Sequence, residues 1–222
     1  MPGRLFAPDD AALLESVLKN RRDVRGNRFL SDPITDNDID KLIDAALYSP
    51  SVGYSQPWEF VVVRDPAIKK SVQAIFAEEN AKAAHEFSDQ KQQQYARLKL
   101  EGISEAPVNL AVYYNPAQKP VLGQTSMKEM GLYSVVCAVQ NIWLMARAMN
   151  IGVGWVSILD PVKVNQLLGM PTNRRMVAYL CVGHVTEFAE TPELENLQWE
   201  KRKQKQRLVY RDAFQTPFYS TE

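Results

Sequence analysis

The sequence predicts an α+β domain in which helices pack on both faces of a mixed β-sheet. Two helical segments come first, and strands and helices then alternate irregularly. The chain has 222 residues, 45% apolar and 23% charged, which suffices for one domain with its own core. No repeat or linker divides it, so 1–222 is predicted to be a single domain. The predicted strands are Trp58–Arg64, Val108–Tyr114, Val153–Ile158 and Met176–Gly183.

The first two helices are predicted from residues that cap their N-termini and from the spacing of their apolar residues. Apolar residues at helical spacing predict a helix over 11–19, with Asp9 or Asp10 as its cap. Thr35 and Asp38 form a variant of the capping box that opens the second helix.

Later helices follow the same logic. Asp65-Pro66 and Asp160-Pro161 each combine a cap with proline in the first turn. Met127–Met149 is apolar on more than one face and predicts a central buried helix. Cys137 and Cys181 lie in apolar segments and are predicted to be buried thiols.

Two segments are too polar for a core. Asn80–Lys99 is dense in Gln, Lys, Glu and Ala, which predicts either a lid over 80–100 or a merely exposed helix. The tail from Glu187 to the end of the chain is charged, which is typical of a segment that wraps a partner subunit or is disordered. Its aromatic residues, Trp199 among them, favour docking.

Composition excludes several classes of function. With 26 basic and 26 acidic residues the net charge is zero, which argues against a nucleic-acid partner. No apolar run approaches the ~20 residues of a membrane span, and the N-terminus lacks the apolar core of a signal peptide, so a cytoplasmic protein is expected. Two histidines and two cysteines do not cluster into a zinc site, and dinucleotide, P-loop and serine-hydrolase motifs are absent.

The segment Arg21-Arg22-Asp23-Val24-Arg25 carries the clearest chemical signal. Three guanidinium groups within five residues suit a phosphate bound at two points. The alternative is a solvated basic turn after a helix. The cluster alone supports a phosphate site only weakly, and the choice between these interpretations depends on the other motifs of the chain.

Five motifs in order resemble the nitroreductase-fold flavoproteins and, among them, the 5,6-dimethylbenzimidazole synthase (BluB) family. The resemblance runs from about Leu18 to Arg207. Most nitroreductases carry serine where this chain has Asp23, and they lack the Trp155-Val156-Ser157 sequence. The motifs are RRDVR (21–25), PSVG followed by QPW (50–58), LKLEGI followed by AP (98–107), LYS to W (132–143) and GVGWVSI (152–158).

The resemblance implies a nitroreductase-like fold with a mainly antiparallel sheet, in a homodimer that exchanges its C-terminal extensions. It also implies an oxygen-dependent enzyme that fragments reduced FMN into the lower ligand of cobalamin. FMN is then a substrate and molecular oxygen the co-substrate. The reduced FMN is expected to come from a separate flavin reductase or to be taken up as free reduced FMN.

The resemblance assigns roles to individual residues. Arg21, Arg22 and Arg25 are expected to clamp the FMN phosphate and its polar edge, with a further charge from Arg202. Ser51 and Gln56 are expected near the ring, across the dimer interface. The implied FMN-binding positions are Arg21, Arg22, Asp23, Val24, Arg25, Pro50, Ser51, Gln56, Leu100, Gly154, Trp155, Ser157 and Arg202, and the implied catalytic residues are Asp23 and Ser157.

Each catalytic assignment has an alternative. A carboxylate near the ribityl chain suits a general base, which is the hypothesis for Asp23; otherwise Asp23 forms a salt bridge that holds Arg22 or Arg25. Ser157 is expected to hydrogen-bond the flavin near its reactive edge; otherwise it is an ordinary strand hydroxyl.

Two other functions stay open at the level of the sequence. One is an NAD(P)H-dependent nitroreductase or flavin reductase with the same fold. The other is a non-catalytic flavin-binding or storage protein. A lid over 80–100 favours the synthase, because it excludes water and leaves little room for a nicotinamide above the ring.

Overall fold

A computed structural model of the chain describes residues 3–219. The first two residues, and residues 220–222 of the predicted tail, lie outside this range. The elements are α1 (Pro8–Asn20), α2 (Asp36–Leu47), β1 (Trp58–Val63), α3 (Pro66–Ala84), α4 (Asp89–Tyr95), β2 (Val108–Tyr114), α5 (Met130–Ala148), β3 (Gly152–Val156), α6 (Pro161–Leu167), β4 (Arg175–Gly183) and α7 (Glu193–Asn196).

The sheet has the strand order β1-β2-β4-β3, and its three pairings are antiparallel. A single parallel bridge joins Asp23 to Val153, so the segment after α1 lies along the outer edge of β3. β2 and β4 are the central strands and are mostly buried, in keeping with their largely apolar sequences. β1, predicted to be buried, is an edge strand on which Val62 is 42% exposed.

Helices cover both faces of the sheet, as predicted. Because side chains alternate along a strand, Leu110 and Leu180 face the layer formed by α2 and α5. Ala111 and Tyr179 face the opposite layer, formed by α3 and α6. The fold is therefore the predicted α+β sandwich.

Helix starts follow local hydrogen bonding. The capping box at Thr35 is confirmed, because Asp38 N donates to Thr35 Oγ1 (3.1 Å) and Thr35 N to the Asp38 carboxylate (3.1 Å). The predicted cap of α1 is wrong. Ala7 occupies the cap position, and Asp10 lies three residues later, where its carboxylate accepts from Ala7 N (2.9 Å).

The prediction of one helix over Asn80–Lys99 is wrong. α3 continues to Ala84, the chain reverses, and α4 follows as a short separate helix. The reversal lets the buried Tyr95 donate its hydroxyl to Asn80 Oδ1 (2.7 Å) and stack on Phe87 at 5.1 Å. In a continuous helix, Asn80 and Tyr95 would lie about 22 Å apart.

α5 differs from its prediction in two ways. It begins at Met130 instead of Met127, and one of its apolar faces is exposed to solvent instead of buried. Tyr133 is 50% and Val136 42% exposed, and Cys137 is exposed, so the prediction of a buried Cys137 is wrong. The spacing of these residues places them on the side of α5 that faces away from the sheet. Cys181, on the central strand β4, is buried as predicted, and burial raises the pKa of its thiol.

The chain divides into two compact units, Met1–Phe188 and Ala189–Glu222. The second unit contains α7 and a bridge between Tyr210 and Pro217 that encloses an edge-to-face contact of Tyr210 with Phe214 (5.0 Å). No helix within residues 3–219 is long and apolar enough to cross a membrane.

Candidate active site

The arginine segment is held against β3 by its backbone. α1 ends at Asn20, the chain becomes extended, and Val24 N donates to Val153 O (3.0 Å). Gly154 permits this approach, because a Cβ there would overlap the carbonyl oxygen of Val24. The glycines of the GVGW sequence therefore allow the arginine segment to lie directly on the strand.

Asp23 is fixed at both carboxylate oxygens. Its Oδ1 accepts from the backbone N–H of Trp155 (3.1 Å), and its Oδ2 forms an ion pair with Arg25 Nη2. The Asp23 side chain is 35% exposed and that of Arg25 is 15% exposed. The salt bridge anticipated as the alternative role of Asp23 is thus present, and the carboxylate is still accessible from one side.

Ser157 lies near Asp23. The third strand was expected to reach Ile158 but ends at Val156, so Ser157 is the first residue beyond it and is exposed. Ser157 is two positions, about 7 Å of extended chain, beyond Trp155, whose backbone N–H bonds Asp23. The fold therefore brings the two predicted catalytic residues to the same end of β3.

Arg21 and Arg22 rest on α5 through Trp143. The Arg21 guanidinium lies 4.5 Å from the centre of the Trp143 ring, and Trp143 Nε1 donates to Arg22 O (3.1 Å). Trp155 lies 6.3 Å from Trp143, ring centre to ring centre. The sequence placed Trp143 only within a predicted buried helix, and its place in the fourth motif was the one signal of this role.

Leu100 joins this group through its backbone. Arg25 Nη1 donates to Leu100 O (3.0 Å) and to Trp155 O (3.2 Å). One guanidinium thus bonds three elements of the predicted site: the Arg21–Arg25 segment, the end of β3, and the segment that follows α4.

The Pro50–Gln56 loop lies elsewhere in the same chain. It contacts α5 through Val52 N, which donates to Ser134 Oγ (3.1 Å), and is closed by Gln56 N donating to Ser51 Oγ (3.1 Å). Ser134 and Trp143 are nine residues apart, which places them on opposite faces of α5 and about 14 Å apart along its axis. One chain therefore does not bring Ser51 and Gln56 to Asp23.

Two cavities of the first unit lie apart from Asp23 and Ser157. One of about 470 Å³ is lined by α3 and Glu101, and another of about 540 Å³ by Asp32 and His184. Arg202 belongs to the unit Ala189–Glu222, and its role in phosphate binding stays a prediction. Between residues 3 and 219, no three His, Cys, Asp or Glu side chains form a group suited to a metal ion.

Comparison with known proteins agrees with these motifs. The profile of the nitroreductase family matches residues 18–184. A 5,6-dimethylbenzimidazole synthase of Rhodospirillum rubrum is 45% identical over 203 residues, 90% of this chain and 95% of that protein. One from Rhodobacter capsulatus is 41% identical over 191 residues, 85% of this chain and 91% of that protein.

The fold is also found in solved structures. Iodotyrosine deiodinase bound to FMN and 3-iodo-L-tyrosine superposes with a TM-score of 0.71, at 20% identity, over 90% of this chain and all of the deiodinase chain. At this identity the likeness shows the fold alone.

Proposed function

This chain belongs to the nitroreductase family and, within it, to the 5,6-dimethylbenzimidazole synthases, and we propose that it makes 5,6-dimethylbenzimidazole from reduced FMN and molecular oxygen. The observation that carries the proposal is the 45% identity to a 5,6-dimethylbenzimidazole synthase over nearly its whole length. The residues that distinguish this chain from most nitroreductases, Asp23 and Ser157, support it by lying at one end of β3.

The chemistry of the side chains fits FMN. Flavin use is typical of the family. Arg21 and Arg22 provide guanidinium groups of the kind that bind phosphate, and both residues are partly exposed. The Arg21 guanidinium lies over Trp143, whereas Arg22 Nη1 donates to the carbonyl oxygens of Lys19 and Arg21 (both 2.7 Å). When bound, reduced FMN supplies the reaction with oxygen, and the protein supplies position, proton transfer and protection from water.

In this proposal Asp23 is the general base. Its carboxylate is held in a fixed orientation by Trp155 N–H and Arg25, and its partial exposure leaves it open to a substrate proton. Fixing the base in place before the substrate arrives lowers the entropic cost of the proton transfer. The ion pair and the catalytic role are therefore compatible in one residue.

Ser157 is proposed to hydrogen-bond the flavin near its reacting edge. It is exposed and follows directly on a strand whose backbone is fixed to β4 and to Asp23. A hydroxyl at such a position is well ordered by its backbone and serves as donor and acceptor.

The complete site is proposed to form in a homodimer, as is typical of the family. Ser51 and Gln56 lie across α5 from Asp23 within one chain, so they can meet it only from a second copy. The exposed apolar residues of α5, Tyr133 and Val136, give such a copy a surface to bury. Exchange of the C-terminal tails, with Arg202 near the phosphate, belongs to the same proposal.

The segment containing α4 is proposed to act as the lid predicted over 80–100. Loss of the reaction to water yields only hydrogen peroxide and oxidised FMN, so the site must exclude solvent. The same cover leaves little room for a nicotinamide, and we therefore assign the supply of reduced FMN to a separate reductase or to free reduced FMN.

The test uses the purified full-length protein. It is mixed anaerobically with photochemically reduced FMN, without NAD(P)H, and then exposed to air-saturated buffer. We expect 5,6-dimethylbenzimidazole by mass spectrometry in the presence of the protein and none in its absence.

Other outcomes separate the alternatives. Rapid NADPH oxidation with FMN retained intact indicates a nitroreductase or flavin reductase. Quantitative recovery of intact FMN, with no NADPH oxidation, indicates a flavin-binding protein. Either result contradicts the proposed synthase.

A further inference from the structure

We propose that Arg25 is a positioning residue that fixes Asp23 to the segment after the lid helix, and that it is not part of the phosphate clamp. The proposal rests on the proposed function and changes the role that the family resemblance gives to this arginine. It concerns residues 99–102, called the strap below, and their attachment to Arg25 and Gly26.

The Arg25 guanidinium is directed into the protein. Its Nη2 pairs with the Asp23 carboxylate, and its Nη1 donates to both Leu100 O (3.0 Å) and Trp155 O (3.2 Å). The side chain is 15% exposed. These bonds use three of the five N–H donors of the guanidinium, including both on Nη1. An end-on contact of Nη1 and Nη2 with a phosphate is therefore blocked, and the low exposure of the side chain disfavours the remaining side-on contact.

The strap is fastened to the same segment by its backbone. Gly26 N donates to Glu101 O (2.9 Å), next to the bond from Arg25 to Leu100. Gly102 packs against Gly26 and Phe29 so closely that a Cβ on Gly102 would lie 2.7 Å from the Phe29 ring. The register of the strap on residues 25–29 is therefore tightly set.

Charged side chains stabilise the strap from within. Glu101 is 5% exposed, and its carboxylate accepts from Ile103 N (2.7 Å) and from Lys99 Nζ (2.8 Å). Lys99 also reaches Glu105 (2.9 Å). Partial burial works against the charge of Lys99, but the two carboxylates outweigh it and raise the pKa of this amine.

The position of the strap determines the position of the lid helix. Only three residues lie between Tyr95, the last residue of α4, and Lys99, so α4 can shift little while the strap is held. Arg25 thus bonds the proposed base on one side and the lid attachment on the other. Without the Arg25 side chain, we expect the positions of Asp23 and α4 to be no longer fixed relative to each other.

The test replaces Arg25 by lysine, which keeps the charge but cannot bond a carboxylate and two carbonyls with one planar fork. The matched control is Arg64→Lys, since Arg64 likewise bonds a carbonyl (Ile34, 2.8 Å) and a carboxylate (Asp36, 2.8 Å), away from β3. Three quantities are measured for wild type and both variants. They are the dissociation constant for oxidised FMN, the yield of 5,6-dimethylbenzimidazole and hydrogen peroxide per reduced FMN consumed, and the rate of tryptic cleavage after Lys91 and Arg97.

For Arg25→Lys we expect an FMN dissociation constant within about threefold of wild type, because the phosphate contacts are intact. Product yield falls at least about fivefold with a matching rise in hydrogen peroxide, and cleavage after Lys91 and Arg97 is faster by about threefold or more. Arg64→Lys leaves all three quantities near wild type.

Two results overturn the inference. One is a loss of FMN affinity of about tenfold or more with unchanged product yield per bound flavin, which identifies a phosphate clamp. The other is Arg25→Lys behaving as wild type in cleavage and yield. If wild type itself makes no 5,6-dimethylbenzimidazole, the proposed function fails, while FMN affinity and cleavage still decide the role of Arg25.

Discussion

Asp23 is held by two interactions, of which the sequence anticipated only the salt bridge to an arginine. An ion pair to Arg25 and a hydrogen bond from Trp155 N–H leave its carboxylate oriented and partly exposed. An amide of the same shape keeps one acceptor oxygen and so retains one of these two bonds, but it accepts no proton and would abolish the action of a base. Replacing Asp23 by asparagine therefore distinguishes a residue that only holds Arg25 from a general base.

We expect Asp23→Asn to retain FMN affinity within about threefold and to lower the rate of 5,6-dimethylbenzimidazole formation by about 100-fold or more, because the amide accepts no proton. Rate and affinity are measured by mass spectrometry and flavin fluorescence. Asp160→Asn is the control, since Asp160 also accepts from backbone N–H groups, those of Val162 and Lys163, at the start of α6. Product formation at the wild-type rate by Asp23→Asn would exclude Asp23 as the base.

Two buried tyrosines, both facing α3 and α6, differ in a single hydrogen bond. Tyr179 Oη accepts from Asn109 Nδ2 (3.2 Å), whereas Tyr113 Oη has no hydrogen-bond partner among the described residues. A buried polar group without a partner destabilises the folded state. We expect Tyr113→Phe to raise the free energy of unfolding by about 1 kcal/mol and Tyr179→Phe to lower it by a similar amount, measured by urea denaturation near neutral pH.

Burial of Tyr113 also predicts that the free energy of unfolding depends on pH. Burial raises the pKa of Tyr113 from 10 to about 12, so the folded state holds this proton more tightly than the unfolded state. The resulting stability is complete below pH 10 and is lost as the pH rises from 10 to about 12. Tyr113→Phe should therefore lose less stability than wild type when urea unfolding is repeated at about pH 11; an equal loss would contradict this assignment.

At the scale of elements, α4 shows how a polar segment is held without a core of its own. It is short, and Tyr95 is the one buried side chain among residues 90–95. This tyrosine stacks on Phe87 and donates to Asn80 at the C-terminal part of α3. This anchor is local and costs little to break, which is typical of segments that open and close.

We expect Tyr95→Ala to release α4, because both the ring contact and the hydrogen bond are lost. Tryptic cleavage after Lys91 should accelerate, and the yield of 5,6-dimethylbenzimidazole per reduced FMN should fall by about threefold or more in favour of hydrogen peroxide. Tyr95→Phe is the matched control, since it keeps the ring contact and should stay close to wild type. Faster cleavage of Tyr95→Ala without any loss of yield would show that α4 does not protect the reaction.

At the scale of the whole molecule, the two groups of predicted FMN-binding residues lie on opposite faces of α5. The side of α5 that carries Tyr133, Val136 and Cys137 is exposed although the helix is largely apolar. A homodimer resolves both observations, because a second copy covers this surface and supplies the missing half of each site.

We expect Val136→Asp to weaken the dimer by placing a charge in the buried interface, so that light scattering at micromolar concentration reports monomers and FMN affinity falls about tenfold or more. Val162→Asp is the control, because Val162 is 62% exposed in the first turn of α6, where an acidic residue suits the helix. In the dimer, Cys137 should also be protected from thiol reagents. A monomeric wild type with tight FMN binding would exclude a site formed between subunits.

Sequence patterns predicted the structure best where the deciding interactions join residues close together in the chain. The capping box at Thr35 and the cap with proline at Asp65 fix helix starts within three or four residues, and both are confirmed. The four strands were also found, because each is a short segment composed mainly of apolar residues. The break between α3 and α4 was missed, since only the distant pairing of Asn80 with Tyr95 reveals it.

The sequence by itself determined the family, the α+β layers and the residues capable of the chemistry, because each of these is written in motifs or in periodicities of a few residues. Only the tertiary structure decided that Asp23 meets Trp155, that Arg25 reaches Leu100, and that Ser51 lies across α5 from both. Asp23 and Trp155 are 132 residues apart, and their contact depends on how β3 pairs with β4 and leaves its other edge to the arginine segment. Such contacts arise from packing of the whole chain, which no short stretch of sequence encodes.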